Sequence, residues 1–129
     1  MPTYRIFISH AWDYNDEYYG LCNLLNEASY FSWADYSVPS HDPLTGALRQ
    51  QFMDRIQLTN IVLVLSGMYA NHSDWMQREI RIAKGMNKPI LAVIPQGAER
   101  VPVDIQNIAN EQVRWSTQSI VDAIKRLAI

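Results

Sequence analysis

The stretch SDWMQREIRIAKGM, residues 73–86, carries a carboxylate where a hydrophobic side chain belongs. Drawn as an α-helix at about 100° per residue with Trp75 as origin, Ile82, Met86, Ala83, Met76 and Ile80 span an arc from roughly −20° to roughly 140°. Glu79 falls inside that arc, at about 40°. Gln77, Arg78, Arg81 and Lys84 fill the opposite face, so polar positions were available and the carboxylate is still directed inward. Burying a charge is costly unless it is paired or has a task. The structural explanation is that Glu79 bends to the rim of the domain and bonds a backbone group or an arginine. The chemical one is that a carboxylate half-buried beside the Trp75 indole, four residues away on the same face, has a raised proton affinity. It could then act as a general base or stabilise a cationic, sugar-like transition state, and both uses suit glycosidic-bond chemistry. Ser73 or Asp74 can cap this helix, with Gln77 completing a variant capping box if Asp74 is the cap.

Two other segments concentrate reactive side chains. SHAWDYND, residues 9–16, offers Ser9, His10, Trp12, Asp13 and Asp16, with Asp13 or Asp16 expected to cap the following helix. Ser9 and His10 make a poor nucleophile and base, because adjacent residues on an extended chain point to opposite faces. DYSVPSHDPLTG, residues 35–46, contains Asp35, Tyr36, Ser40, His41, Asp42 and Thr45, and is long and proline-bearing enough to be a functional loop. His10, His41 and His72 fall on three separate loops without the paired spacing of helical zinc motifs, so no metal site is expected. The five glycines are scattered and form neither a Walker sequence nor a GxGxxG, which removes the standard phosphate loops. Cys22 is the lone cysteine; it cannot form an internal disulfide and is expected to pack in the core.

The elements that must position these residues alternate. Tyr4–Ile8 is a short β-rich segment, and Ile61–Leu65 and Ile90–Ile94 are near-continuous apolar runs of strand length, as in a parallel sheet covered on both faces. Phe31–Tyr36 reads as a second strand and Val113–Trp115 as a short fifth. Between them Tyr14, Tyr18, Leu21, Cys22 and Leu25 mark one helix, Leu48, Phe52 and Ile56 another, and Ile120, Ile124 and Leu127 a last one after a Ser116 or Thr117 cap. This order predicts an α/β fold, a doubly wound, five-stranded parallel sheet of flavodoxin-like type with helices on both faces. Ligands of such sheets gather beyond the carboxyl ends of the strands, near the point where strand order reverses. The loops to inspect begin at Ser9, Asp35, Ser66 and Pro95, and the helix bearing Glu79 starts at that edge. That placement favours chemistry over a structural role for its carboxylate.

With 129 residues, 48% of them hydrophobic, residues 1–129 fit a single domain with a core of its own. A net charge of −2 with both signs interspersed leaves no basic field for nucleic acid. The longest apolar run, Ile61–Leu65, is far short of a membrane span, and the N-terminal segment reads as a strand where a signal peptide needs a basic start and an apolar stretch. A soluble, cytoplasmic protein without membrane or nucleic-acid partners is expected.

Three segments together carry a resemblance: YRIFISHAWDYND near the start, FSWADYSVP after the first helix and IVLVLSGMYANHSDWMQREI in the middle. They resemble the TIR-domain superfamily, and more narrowly its compact bacterial TIR-like branch, which includes the NAD-consuming proteins of Thoeris anti-phage systems. The likeness covers residues 4 to about 115 and is most specific in an aromatic residue followed four positions later by a glutamate, matched by Trp75 and Glu79. It implies that Glu79 is the catalytic residue for cleaving the nicotinamide–ribose bond and engages the ribose hydroxyls, with NAD as substrate and no separate cofactor. Ser9 and His10 match first-loop positions facing the nucleotide, and Asp35 and Tyr36 match the segment leading into a loop that gates the cleft. Ser66 opens the loop after the third strand, and Trp75 lines the pocket. Met76 stands where the common pattern has a cysteine, which assigns the chain to a divergent branch. The resemblance further implies a released ADP-ribose-derived nucleotide, linear, cyclic or conjugated according to the acceptor. A downstream effector would respond to that nucleotide, and activity can depend on homo-oligomeric or TIR–TIR assembly.

Rival functions share the same sheet. A non-catalytic TIR interaction module would have no use for an inward Glu79. A phosphoacceptor receiver would need an acidic pair after the first strand and an aspartate where Leu65 and Ser66 stand. A nucleoside deoxyribosyltransferase-like enzyme would keep the glycosidic chemistry and its carboxylate while changing the substrate.

Overall fold

Parallel pairing of short apolar strands organises the molecule. The computed structural model describes residues 3–9, 16–37, 46–65, 73–95 and 103–129, excluding the side chains of residues 16, 46–49, 73–76, 78, 79 and 103–105. In chain order the elements are β1 (Thr3–Ser9), α1 (Asp16–Glu27), β2 (Ser32–Asp35), α2 (Gly46–Leu58), β3 (Ile61–Leu65), α3 (Ser73–Gly85), β4 (Ile90–Val93), α4 (Val103–Ile108), β5 (Glu111–Val113) and α5 (Thr117–Leu127). The strands form one sheet in the order β2-β1-β3-β4-β5, every pair parallel. The expected doubly wound, flavodoxin-like arrangement is what the chain adopts.

The burial pattern follows from this topology. All five residues of β3 and all four of β4 are buried, because helices cover both faces of the central strands. The right-handed crossover rule sends the β1–β2 and β3–β4 connections to opposite faces, since they run in opposite directions across the sheet. Accordingly α1 packs beside α5, whereas α2 packs beside α3. Leu21, Leu25, Ile120, Ala123 and Ile124 fill one layer, and Phe52, Ile56, Ile80 and Ala83 the other. Phe7 meets Phe52 edge to face, with ring centroids 6.3 Å apart.

Helix ends are closed by local chemistry. Ser116 caps α5, its hydroxyl accepting from the Ser119 N–H at 3.4 Å, as one of the two expected caps. At the end of α3 the Lys88 N–H reaches the Ala83 carbonyl and the Asn87 N–H the Lys84 carbonyl, a paired closure that puts Asn87 at φ 58°. Asparagine tolerates that left-handed conformation better than most residues.

Three differences from the sequence reading have physical causes. The fifth strand is Glu111–Val113, two residues earlier than the expected Val113–Trp115. It is an edge strand with only Val113 buried, so it has almost no apolar signature, and Arg114 and Trp115 are consumed in the turn before the Ser116 cap. The six-residue α4 was not expected, being too short to display a helical period. β2 is shorter by one residue at each end than Phe31–Tyr36.

Candidate functional site

The reversal of strand order lies between β1 and β3, neighbours in the sheet whose outgoing connections leave to opposite faces. Their register brings Ser9, the last residue of β1, level with Val64 near the end of β3. Ser9 is fully buried, so it forms part of the floor of this edge. α1 and α3 both begin at the same edge, one on each face. Glu79 lies in the helical part of α3, followed by the buried Ile80 and, one turn on, the buried Ala83. The apolar face of the helix is therefore the inward one, as the wheel predicts. His10 and Ser66 lie outside the described residues, as do the side chains of Trp75 and Glu79 and the capping side chains Asp13, Asp16, Ser73 and Asp74.

Asp35 and Tyr36 are described in full. β2 pairs with β1 only from Thr3 to Ile6, whereas β1 continues to Ser9. Backbone pairing on this side thus ends three residues short, about 10 Å at the usual strand rise. The Tyr36 N–H still donates to the Ile6 carbonyl at 2.8 Å, after which the Ser37 hydroxyl accepts from the Ile8 N–H, also at 2.8 Å. A side chain here replaces the strand that has departed. The exposed Asp35 closes this turn: one oxygen accepts from the Ser37 N–H at 2.9 Å and the other from the Tyr18 hydroxyl of α1. The Tyr36 ring has the Arg55 guanidinium of α2 over it, 5.8 Å from the centroid. Both residues therefore fix the point where the chain leaves β2 for the segment beginning at residue 38.

Burial, reinforced by the charge of Asp35, sets the electrostatics of this corner. Burial, then the hydrogen bond to Asp35 and its negative charge, drive the Tyr18 hydroxyl far above the usual phenol range. Cys22, one helical turn beyond Tyr18, is pushed up to about 11, mainly by burial and secondarily by Asp35. The free thiol is half-buried and packs against the core, as expected, and is held in its neutral form.

One carboxyl on this edge went unnoticed in the sequence. Glu17, in the first turn of α1, has its Oε2 sealed from solvent without a hydrogen-bond partner, and burial raises its proton affinity. Relative to Leu21 it lies at about −40° on a helical wheel, between Leu24 and Leu21 in the inward stripe. The signal was the same as for Glu79. The spacing of Tyr14, Tyr18, Leu21, Cys22 and Leu25 defines a stripe by itself and hides the glutamate among them.

Elsewhere, a groove of about 550 Å³ runs along the outer side of β5, lined by Glu111, Gln112, Val113, Arg114, Ser119, Asp122 and Arg126. Arg126 bridges Glu111 within it at 2.7 Å. It belongs to the far edge of the sheet and shares no residue with the β1–β3 end. No cluster of three or more metal-ligating side chains exists among the described residues, and none of their helices is long and apolar enough to cross a membrane.

Compared with known families, residues 7–100 match the model of the Thoeris protein ThsB, TIR-like domain. The matched span runs from within β1 to beyond β4 and includes both α1 and α3. Comparison with curated proteins finds no match.

Proposed function

The chain belongs to the TIR-like domain family of the Thoeris protein ThsB, and from that membership we propose that it is an enzyme of anti-phage defence that breaks the nicotinamide–ribose bond of NAD. The observation that carries the reading is the place of Glu79 in the sequence, among the apolar positions of a helix that starts at the carboxyl edge beside the strand-order reversal. Folds of this topology bind their ligands at that edge.

In the proposed reaction the glycosidic bond between C1′ of the ribose and the pyridinium nitrogen breaks. Its electron pair leaves with nicotinamide, cancelling the ring's positive charge, and C1′ acquires oxocarbenium character. Glu79 stabilises that developing charge and engages the ribose hydroxyls. The acceptor then adds to C1′ and loses a proton. Water gives ADP-ribose, and a nucleophile within the same nucleotide gives a cyclic isomer, the product we favour as a signal to a downstream effector. Ser9, His10, Ser66 and Trp75 form the nucleotide-facing surface in this reading, and Asp35 and Tyr36 anchor the gating segment. The enzyme works in the cytoplasm, needs no metal, and is active as a homo-oligomer or TIR–TIR assembly.

The test supplies NAD to the wild type and to Glu79→Gln in lysate of infected cells and resolves the nucleotides by mass spectrometry. Product from the wild type alone is expected. Equal product from both would remove Glu79 from the chemistry. Absence of product from either, with both proteins still binding another TIR domain, would establish the interaction module instead.

A further inference from the structure

We infer that Glu17 is a second carboxyl of the nucleotide site, its buried oxygen held in reserve for a hydrogen-bond donor of the bound substrate. The inference rests on the NAD reading above and adds a residue on the opposite face of the sheet from Glu79. Burying an acceptor without a partner costs free energy, so an orphaned oxygen in a folded protein calls for an explanation. Oε2 of Glu17 is such an atom.

Placement supplies the explanation. Leu21 and Leu25, both fully buried, fix the inward face of α1. Glu17 precedes Leu21 by one turn on that face, and side chains on a helix lean toward its N-terminus, here the carboxyl edge of the sheet. One turn later Gly20 brings the same helix against Trp115: a Cβ at position 20 would stand 3.0 Å from the indole. α1 is thereby pinned close to the chain leaving β5, and its first turn is fixed over the sheet end. Because α1 and α3 lie on opposite faces and start at the same edge, Glu17 and the helix that carries Glu79 flank that edge from opposite sides of the sheet.

A carboxyl in this setting has a definite chemistry. Glu17 as a whole is only partly buried, so a turn of its carboxyl brings Oε2 from its sealed position to an O–H or N–H of the nucleotide, such as a ribose hydroxyl or the carboxamide, and the bond formed recovers the cost of the empty state. This predicts an opposition between stability and binding that neither a packing role nor an inert position would give.

The experiment titrates NAD calorimetrically into the wild type, Glu17→Leu and Glu17→Gln, and measures the urea midpoint of each free protein alongside. Glu17→Leu removes the orphaned acceptor, so its midpoint is expected to equal or exceed that of the wild type, while its Kd for NAD rises about tenfold or more through loss of a charge-assisted bond. Glu17→Gln keeps an acceptor oxygen and is expected to stay within about threefold of wild-type affinity, the loss being that of charge alone. If Glu17→Leu does not fold, Glu17→Ala makes the same comparison. Wild-type affinity in the leucine or alanine variant would overturn the inference, as would parallel loss of midpoint and affinity. A wild type that does not bind NAD would instead overturn the NAD reading, and this inference with it.

Discussion

The two ends of the sheet are built on different principles. At the amino end the polar groups are clipped together. Asn60, just before β3, donates its N–H to the Arg5 carbonyl at 2.8 Å while its side chain accepts from the Arg5 N–H at 2.7 Å. Asn110, just before β5, repeats the exchange with Ile90 at 2.8 and 2.9 Å. Lys88 closes the end of α2, donating to the carbonyls of Gln57 and Thr59 at 2.9 Å each. At the carboxyl end Glu17 keeps a buried oxygen unpartnered, and the edge strand β2 gives way to a serine hydroxyl before β1 has ended. Marginally stable domains can carry local costs only where other contacts offset them. Among the described residues, the reciprocal polar clips gather at one end of the strands and the buried unpartnered oxygen lies at the other, which is where ligands of such folds bind.

The contrast can be broken at its strongest point first. Asn60→Ala removes the acceptor for Arg5 and a 2.8 Å donor to the Ile129 carbonyl. Two net hydrogen bonds correspond to about 2 kcal/mol of stability, read from urea unfolding, with NAD affinity unchanged. An equal loss of affinity would show that the amino end is not merely scaffold. Next come two helical glycines. Nothing lies within 4 Å of a Cβ built at Gly85, so Gly85→Ala is expected to gain up to about 1 kcal/mol of helix propensity. Gly20→Ala meets the Trp115 indole at 3.0 Å and is expected to forfeit that gain. A thermal midpoint raised equally by both would mean that α1 is not held as tightly at the carboxyl end as its contacts indicate.

A smaller effect concerns pH. Burial raises Glu17 above its ordinary value of 4.5, so the folded protein binds this proton more tightly than the unfolded chain. Its stabilising contribution is complete below pH 4.5 and is lost as pH rises through the folded value. Comparing urea midpoints of the wild type and Glu17→Gln between pH 4 and 7 should show the wild type falling behind as pH increases; curves that run parallel would mean that the carboxyl is solvated. The smallest expected change is in the stability of Glu79→Gln, which should fold at least as well as the wild type, as befits a carboxylate kept for chemistry. A loss above about 2 kcal/mol would reveal a structural buried pair and align this residue with the amino end.

How legible each part was in the sequence depended on how strongly burial constrained it. β3 and β4 are covered on both faces, so IVLVL and ILAV could hardly read as anything else. The edge strand β5 obeys weaker constraints and was misplaced by two residues, and α4 is shorter than two helical turns. Glu79 stood out because it interrupts a run of apolar residues, Trp75, Met76, Ile80, Ile82, Ala83 and Met86, that otherwise fills one face of its helix. Glu17 did not, because aromatic residues at 14, 18 and 19 widen the apparent stripe of α1. The joint between Asp35, Tyr18 and Ser37 was invisible for a different reason: it depends on the register of β2 against β1, which no local pattern encodes. Residues from α1, β2 and the following turn meet there only once the sheet has formed.

That register has a mechanical consequence. β1 pairs with β2 through Thr3–Ile6 and with β3 through Ile6–Ser9, so Ile6 is the one residue of β1 in strand register with both neighbours. The strand is a lap joint, glued to one neighbour along its first half and to the other along its second. A pull on the segment after β2 therefore loads the lower half of the joint, and β2 can peel away rung by rung while Ser9 keeps its place beside Val64. The connection that follows β2 can change in length over evolutionary time without disturbing Ser9, the floor of this edge.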